Sequence, residues 1–189
     1  MKKIISLFIL IFIISTVSLQ AQDKDKKQKI GIRGGWQLSS MVVDGNKPDT
    51  AQYLNSFYIG LFRDNKMASI LYFGTGIEYF QNGLKYSNNT KRVVHSISIP
   101  LGLKLKLGPV FILGGAAANV KVTEKIIIGD DKYDPVDGNR TEWFDVAAFA
   151  GAGVKIFFLS VEARYHWGLL DVRNDLKNRY FQLGLGVSF

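Results

Sequence analysis

Cysteine is absent from the 189-residue chain, which excludes disulfide staples, thiolate metal sites, thiol nucleophiles and a lipid-modified cysteine at a mature terminus. Histidine is scarce, at positions 95 and 166 only. No spacing of histidine, cysteine or carboxylate suggests zinc, and no cofactor is expected. Gly74-Thr75-Gly76 and Gly151-Ala152-Gly153 are not dinucleotide loops, because neither leads into a helical repeat. Asn88-Asn89-Thr90 and Asn139-Arg140-Thr141 match the glycosylation sequon, a three-residue pattern that reads as chance here. Charged residues make up only 21% against 47% hydrophobic, so the chain is neither disordered nor fibrous and has room for one domain.

A long apolar run is also lacking. Lys2 and Lys3 precede an apolar stretch from Ile4 to Val17, then Ser18, Leu19, Gln20 and Ala21 before Asp23. At about 14 residues the stretch falls short of the roughly 20 that a spanning helix needs. It reads as a signal peptide over residues 1–21 with cleavage after Ala21. Without Lys2 and Lys3 the chain keeps 22 basic residues against 16 acidic ones. The densest basic patch, Lys24, Lys26, Lys27 and Lys29, alternates with Asp and Gln, so residues 22–28 read as a short solvated leader; nucleic acid is not an expected partner.

From residue 29 onward the pattern has period two, the signature of half-buried strands. Phe181, Leu183, Leu185, Val187 and Phe189 share one face, while Gln182, Gly184, Gly186 and Ser188 share the other. Leu159, Val161, Ala163, Tyr165 and Trp167 alternate with Ser160, Glu162, Arg164 and His166. Val93, His95, Ile97, Ile99, Leu101, Leu103 and Leu105 oppose Ser96, Ser98, Gly102, Lys104 and Lys106. Segments around Ile32, Ile59 and Ile77 repeat the scheme, whereas 110–120 and 144–156 are rich in Ala and Gly on both faces and are inferred as strands from their place in the series.

The predicted connections alternate in length. Long or moderate loops are expected at Val43–Asn55, Ser87–Lys91, Thr123–Thr141 and Asp171–Lys177, and tight turns at Asp64–Lys66, Gly108–Pro109 and Ile156–Phe158. Outer-membrane barrels pair short periplasmic turns with long outer loops in this way. The fold expected for residues 29–189 is therefore all-β: an eight-stranded antiparallel up-and-down transmembrane β-barrel in a Gram-negative outer membrane, preceded by a cleaved signal peptide.

Alternation alone does not say whether the greasy face wraps a core or meets lipid. The other face decides, since it carries Arg33, Gln37, Glu78, Lys104, Lys106, Lys155, Glu162, Arg164 and His166 among many glycines. Glycine weakens a water-facing strand, but in a narrow barrel it makes room for paired long side chains. Aromatics near the strand ends would form two girdles: Trp36, Phe57, Tyr79, Trp143, Phe144, Tyr165, Trp167 and Tyr180 on the long-loop side, and Phe62, Tyr72, Phe111, Phe157, Phe158 and Phe189 on the other.

Through Gly31-Ile32-Arg33-Gly34-Gly35-Trp36, Gly74-Thr75-Gly76-Ile77-Glu78-Tyr79, Ser98-Ile99-Pro100-Leu101-Gly102-Leu103-Lys104 and Leu183-Gly184-Leu185-Gly186-Val187-Ser188-Phe189, the chain resembles the PorT-like outer-membrane β-barrel proteins. The resemblance implies insertion by the barrel assembly machinery, with Phe189 as the terminal assembly signal. Some members of that family are tied to protein secretion, but no motif here carries that role over.

Arg33, Glu78, Lys104, Glu162 and Arg164 would form a lumenal ion-pair network that plugs the barrel. His166 near Ser160 and Glu162 invites a hydrolase reading, yet successive residues on one strand face stand about 7 Å apart, beyond hydrogen-bond reach, so no enzyme is expected. Asp130, Asp131, Asp134 and Asp137 mark an outer loop that could bind calcium, or lipid headgroups through a bridging cation; EF-hand spacing is absent, so it reads as a solvated loop that offers surface to a protein partner. The expected function is a structural or interaction protein among outer-membrane lipids, possible roles in secretion or surface assembly included. The alternative is a secreted, soluble, lipocalin-like carrier of a small apolar ligand, suggested by Gly34-Gly35-Trp36.

Overall fold

The computed structural model describes residues 29–43, 52–87, 90–136, 140–173 and 175–189. The signal-peptide and leader segments, residues 1–28, lie outside the described residues. The chain forms β1 (Lys29–Val42), β2 (Leu54–Lys66), β3 (Leu71–Ser87), β4 (Thr90–Leu107), β5 (Val110–Ile128), β6 (Asp131–Tyr133), β7 (Phe144–Ile156), β8 (Leu159–Arg173) and β9 (Leu176–Ser188). The sheet runs β4-β3-β2-β1-β9-β8-β7-β5, and β5 pairs back onto β4. Eight strands thus close an antiparallel up-and-down barrel, while β6 adds only a short hairpin on the end of β5. Closure satisfies every ladder hydrogen bond within the sheet, the condition for crossing hydrocarbon with strands.

The greasy faces point outward. Ile32, Leu61, Ile77, Leu101, Val161 and Leu185 are exposed around the wall, while Arg33, Glu78, Lys104, Glu162 and Arg164 are buried inside. This partition removes the soluble-carrier alternative, which needs an apolar interior. Trp36 packs on Phe181, Phe57 on Tyr79 and Tyr165 on Trp167, building an outer-rim girdle. Phe157, Phe158 and Phe189 stand exposed at the opposite rim.

Several aromatics do not belong to either girdle. Phe62, Phe111 and Tyr180 are buried in the lumen, and Tyr72 shares the inward face of β3 with Glu78, where Lys106 Nζ sits 3.5 Å from its ring centroid. Their proximity to strand ends suggested a girdle, but a strand end has an inner as well as an outer face. Glycines make room for these rings. A Cβ on Gly153 would collide with the Phe111 ring, and one on Gly184 with the Tyr58 hydroxyl.

The turns also differ from expectation. Asp64 to Lys66 is not a turn, because β2 continues through Lys66 and the chain reverses at 67–70, where Met67 and Ala68 both donate backbone N–H bonds to Leu71 O. The link at Phe157 has no turn residue, yet Phe157 takes a positive φ of 54°, since a two-residue hairpin with the right twist demands that conformation whatever the side chain. The expected loops at Ser87–Lys91 and Asp171–Lys177 are largely strand, since β3 and β4 are separated by two residues and β8 and β9 nearly meet, and the Thr123–Thr141 loop is shortened at its start, where β5 runs on to Ile128, and carries β6 within it. Polar composition signalled loops there, but above the bilayer a strand is polar on both faces. Of the Val43–Asn55 loop, residues 44–51 lie outside the described residues.

Candidate functional site

Buried charged side chains from several strands converge in the lumen. At mid-height Glu78 on β3 stands between two guanidinium groups. Its Oε1 accepts from Arg33 Nε at 2.5 Å and lies 3.0 Å from Arg164 Nη1, and its Oε2 accepts from Arg164 Nη2 at 3.2 Å. Glu162 Oε1 closes the cage, 3.3 Å from Arg33 Nη1 and 3.2 Å from Arg164 Nε. Two carboxylates thus neutralise two guanidiniums from β1, β3 and β8. The Arg164 guanidinium also lies 5.2 Å from the Tyr58 ring centroid.

Lys104, expected in the same network, belongs to another. Its Nζ bonds Asp64 Oδ1 and Oδ2 at 3.1 and 2.9 Å, and it faces the Phe111 and Phe62 rings at 4.8 and 5.6 Å. Lys106 joins Asp64 at 3.5 Å. Reading Asp64 as a turn residue hid this second cluster; the inward parity of Tyr58, Phe62 and Asp64 along β2 was the signal that could have found it.

Above the cage stand rings in place of ions. His166 stacks on Tyr180 at 4.2 Å and lies 5.3 Å from Phe149, while Tyr180 stacks on Phe80 at 5.2 Å. Gln182 donates to Gln37 Oε1 at 2.8 Å. Nothing here resembles a nucleophile and its base: Ser160 donates to the Gly186 carbonyl at 3.4 Å and Glu162 is held by arginines. Higher still, Met41, Leu84, Val94 and Val172 form a buried apolar cluster, with Leu176 packed against it. Two cavities of about 20 Å³ each lie along this column, space for a body the size of a water molecule and not for a conducting path.

The outer end depends on an irregularity. His95 pairs with Thr123 but Ser96 with Lys121, so Val122 is an extra residue that bulges β5 and reverses its parity. Lys121 and Glu124, which would otherwise face opposite sides, now meet at 2.9 Å. Arg92 Nη1 reaches Glu124 Oε1 at 2.6 Å, and the Thr141 backbone N–H and hydroxyl donate to Glu124 Oε2 at 3.0 and 2.9 Å. Lys121 also donates to the Thr141 carbonyl. Glu124 thereby fastens the segment entering β7 to the barrel rim.

About ten residues of a tilted strand cross the membrane, so Glu124, fourteen positions beyond the start of β5 at Val110, lies outside the spanning segment. Burial works against its charge, but the Lys121 and Thr141 hydrogen bonds outweigh burial and hold its pKa below the ordinary 4.5. A depressed carboxylate contributes stability that is present above the unfolded value and fades as pH falls through the folded one. Protection factors of the amides at 140–143, corrected for the pH dependence of intrinsic exchange, should therefore be high at neutral pH and fall below about pH 4.5. Glu124→Gln should show fast exchange at neutral pH. Exchange that stays slow in Glu124→Gln would show that the tether lies elsewhere.

The acidic loop residues do not gather. Asp134 Oδ1 pairs with Lys125 at 2.7 Å, Asp130 and Asp131 are exposed at the β5–β6 turn, and Asp137 lies outside the described residues. Among the described residues no group of three or more His, Cys, Asp or Glu side chains is placed to hold a metal.

The eight-stranded wall has solved counterparts. The attachment invasion locus protein Ail of Yersinia pestis, in complex with the heparin analogue sucrose octasulfate, aligns with a TM-score of 0.53 at 18% identity, covering 86% of this chain and 99% of that one. Ail in a phospholipid bilayer nanodisc aligns at 0.51 and 17% identity, covering 86% and 100%. Neisserial surface protein A aligns at 0.55 and 11% identity, covering 85% and 97%. These likenesses show the shared fold. No curated protein sequence matches this one. The family model described as "Outer membrane protein beta-barrel domain" matches residues 20–174, and with a closed, greasy-walled barrel on the page the chain belongs to that family, a β-barrel of the bacterial outer membrane.

Proposed function

We propose that this barrel is a non-enzymatic structural and interaction protein whose outer rim engages a protein partner and whose lumen is a permanent plug. The observation that carries the reading is the filled interior. Among the described residues the cavities along the column are about 20 Å³ each, while the roomier ones, about 360 and 230 Å³, lie at the outer end beside Lys85 and Lys91 and beside Lys121 and Arg140, which favours the outer surface as the functional part. That surface is enlarged by strands continuing above the girdle and by the β5–β6 hairpin, where Asp130, Asp131 and Lys132 are exposed. Within the family, the four motifs that resemble the PorT-like proteins support membership of that subgroup, and Phe189 is the residue proposed to engage the barrel assembly machinery. A part in secretion or surface assembly fits a rigid barrel that presents loops.

A photo-crosslinking residue at position 132 in growing cells tests the interaction role. The expected result is a discrete protein adduct there, with none when the probe is placed at lumenal Ala117. Adducts to lipid alone at position 132, in cells where the barrel is folded and abundant, would overturn it.

A further inference from the structure

Between the ring stack and the rim, four strands each send one oxygen-bearing side chain to a single lumenal cavity of about 20 Å³: Asn82 from β3, Asn119 from β5, Asp145 from β7 and Asn178 from β9. Asn82, Asn119 and Asp145 are 2%, 3% and 5% exposed. Asp145 Oδ2 accepts from Asn178 Nδ2 at 2.9 Å and Asn119 Nδ2 at 3.4 Å. Asp145 Oδ1 and the Oδ1 atoms of all three asparagines have no protein partner, and Asn82 has none on either amide atom.

Charge sharpens the point. Among the described residues, the other buried carboxylates each have a cation: Asp64 has Lys104, Glu78 and Glu162 have arginines, and Glu124 has Arg92 and Lys121. Asp145 has only amides. Lys121 lines the same cavity, but its ammonium is spent on Glu124 and Thr141. A buried carboxylate with no counter-charge is costly, and buried amide oxygens with no donor add to that cost. One occupant relieves both. Hard cations bind carboxylate and asparagine oxygens at about 2.3–2.6 Å, and calcium tolerates an irregular set with water completing the shell. Magnesium demands near-octahedral geometry at about 2.0–2.1 Å, a stricter requirement than an irregular set of side chains from four separate strands meets.

We propose that Asp145, with Asn82, Asn119 and Asn178, forms a calcium site inside the barrel that ties β3, β5, β7 and β9 together beneath the outer rim. With a single carboxylate its affinity falls in the weak range of about 10⁻⁴–10⁻³ M, matched to an ion drawn from the external medium.

The test uses the full folded chain in detergent, with urea unfolding followed in chelator, in millimolar calcium and in millimolar magnesium. Calcium should raise the midpoint and magnesium should do so far less. The calcium shift should vanish in Asp145→Asn and survive when Asp130, Asp131, Asp134 and Asp137 are all changed to Asn. Because Trp143 lines the same cavity, terbium bound there should give tryptophan-sensitised luminescence that calcium displaces and Asp145→Asn abolishes. Should Asp145→Asn not fold, Asn82→Ala keeps the carboxylate and should weaken the calcium shift. The proposal is overturned by a midpoint indifferent to calcium, by a shift that follows the hairpin aspartates, or by Asn82→Ala responding like the parent chain. The first result would mean that Asp145 is protonated beside a water molecule.

Discussion

Glu78→Leu is expected to lower the unfolding free energy by about 3–5 kcal/mol, the largest loss from any single lumenal change. Both carboxylates of the cage touch both arginines, but Glu78 makes the shorter contacts and uses both of its oxygens, and its removal leaves Arg33 and Arg164 facing each other with only Glu162 between them. The loss reflects one stranded positive charge more than a missing attraction. Replacing Arg33, Glu78, Glu162 and Arg164 together by apolar residues of similar volume should therefore cost less than the single change, because ionic clusters are often no more stabilising than well-packed hydrocarbon. Urea midpoints of the folded barrel in lipid vesicles measure both variants. Planar-bilayer recordings add a second readout: the parent chain should pass no steady current, and a large stable channel in it would contradict the plug. A Glu78→Leu midpoint equal to the parent's would mean that the cage contributes nothing.

Leu101→Arg should cost about 2–4 kcal/mol, whereas Val122→Arg should cost about 0–1 kcal/mol. Both side chains point out of the barrel and are similarly exposed, at 46% and 60%. Exposure alone predicts equal and small effects. The difference arises from depth: Leu101 is six residues from the end of β4 at Leu107, near mid-membrane, while Val122 is twelve residues from the start of β5 at Val110, past the spanning length. Arginine at the midplane must be desolvated or must drag water and headgroups inward, and at the rim it need do neither. Equal unfolding midpoints for the two variants in bilayers would sink the claim that this wall faces lipid.

The strands were legible because alternation is a local property. Around Leu183 or Val161, each residue's neighbours announce which face it takes, and no knowledge of the rest of the chain is needed. Arg33, Glu78, Glu162 and Arg164 were recognisable as one lumenal set for the same reason. Parity failed where both faces are small, as in β5 and β7, and where polarity was mistaken for a loop, as at Asp64. Asn82, Asn119, Asp145 and Asn178 escaped notice because no two of the four are close in sequence, so only the closed barrel brings them to one level.

Period-two patterning, read together with the charged and glycine-rich residues on the opposite face, was enough to point to a lipid-facing barrel with charge inside. Only the tertiary structure decided which charges meet. Arg33 and Glu162 are 129 positions apart, and whether they share a level depends on the tilt and stagger of the closed barrel, which all eight pairings set together. The bulge at Val122 shows the same limit at close range. One extra residue turns Lys121 and Glu124 to the same side, and that choice is made by the register of the neighbouring strand, which no local pattern encodes.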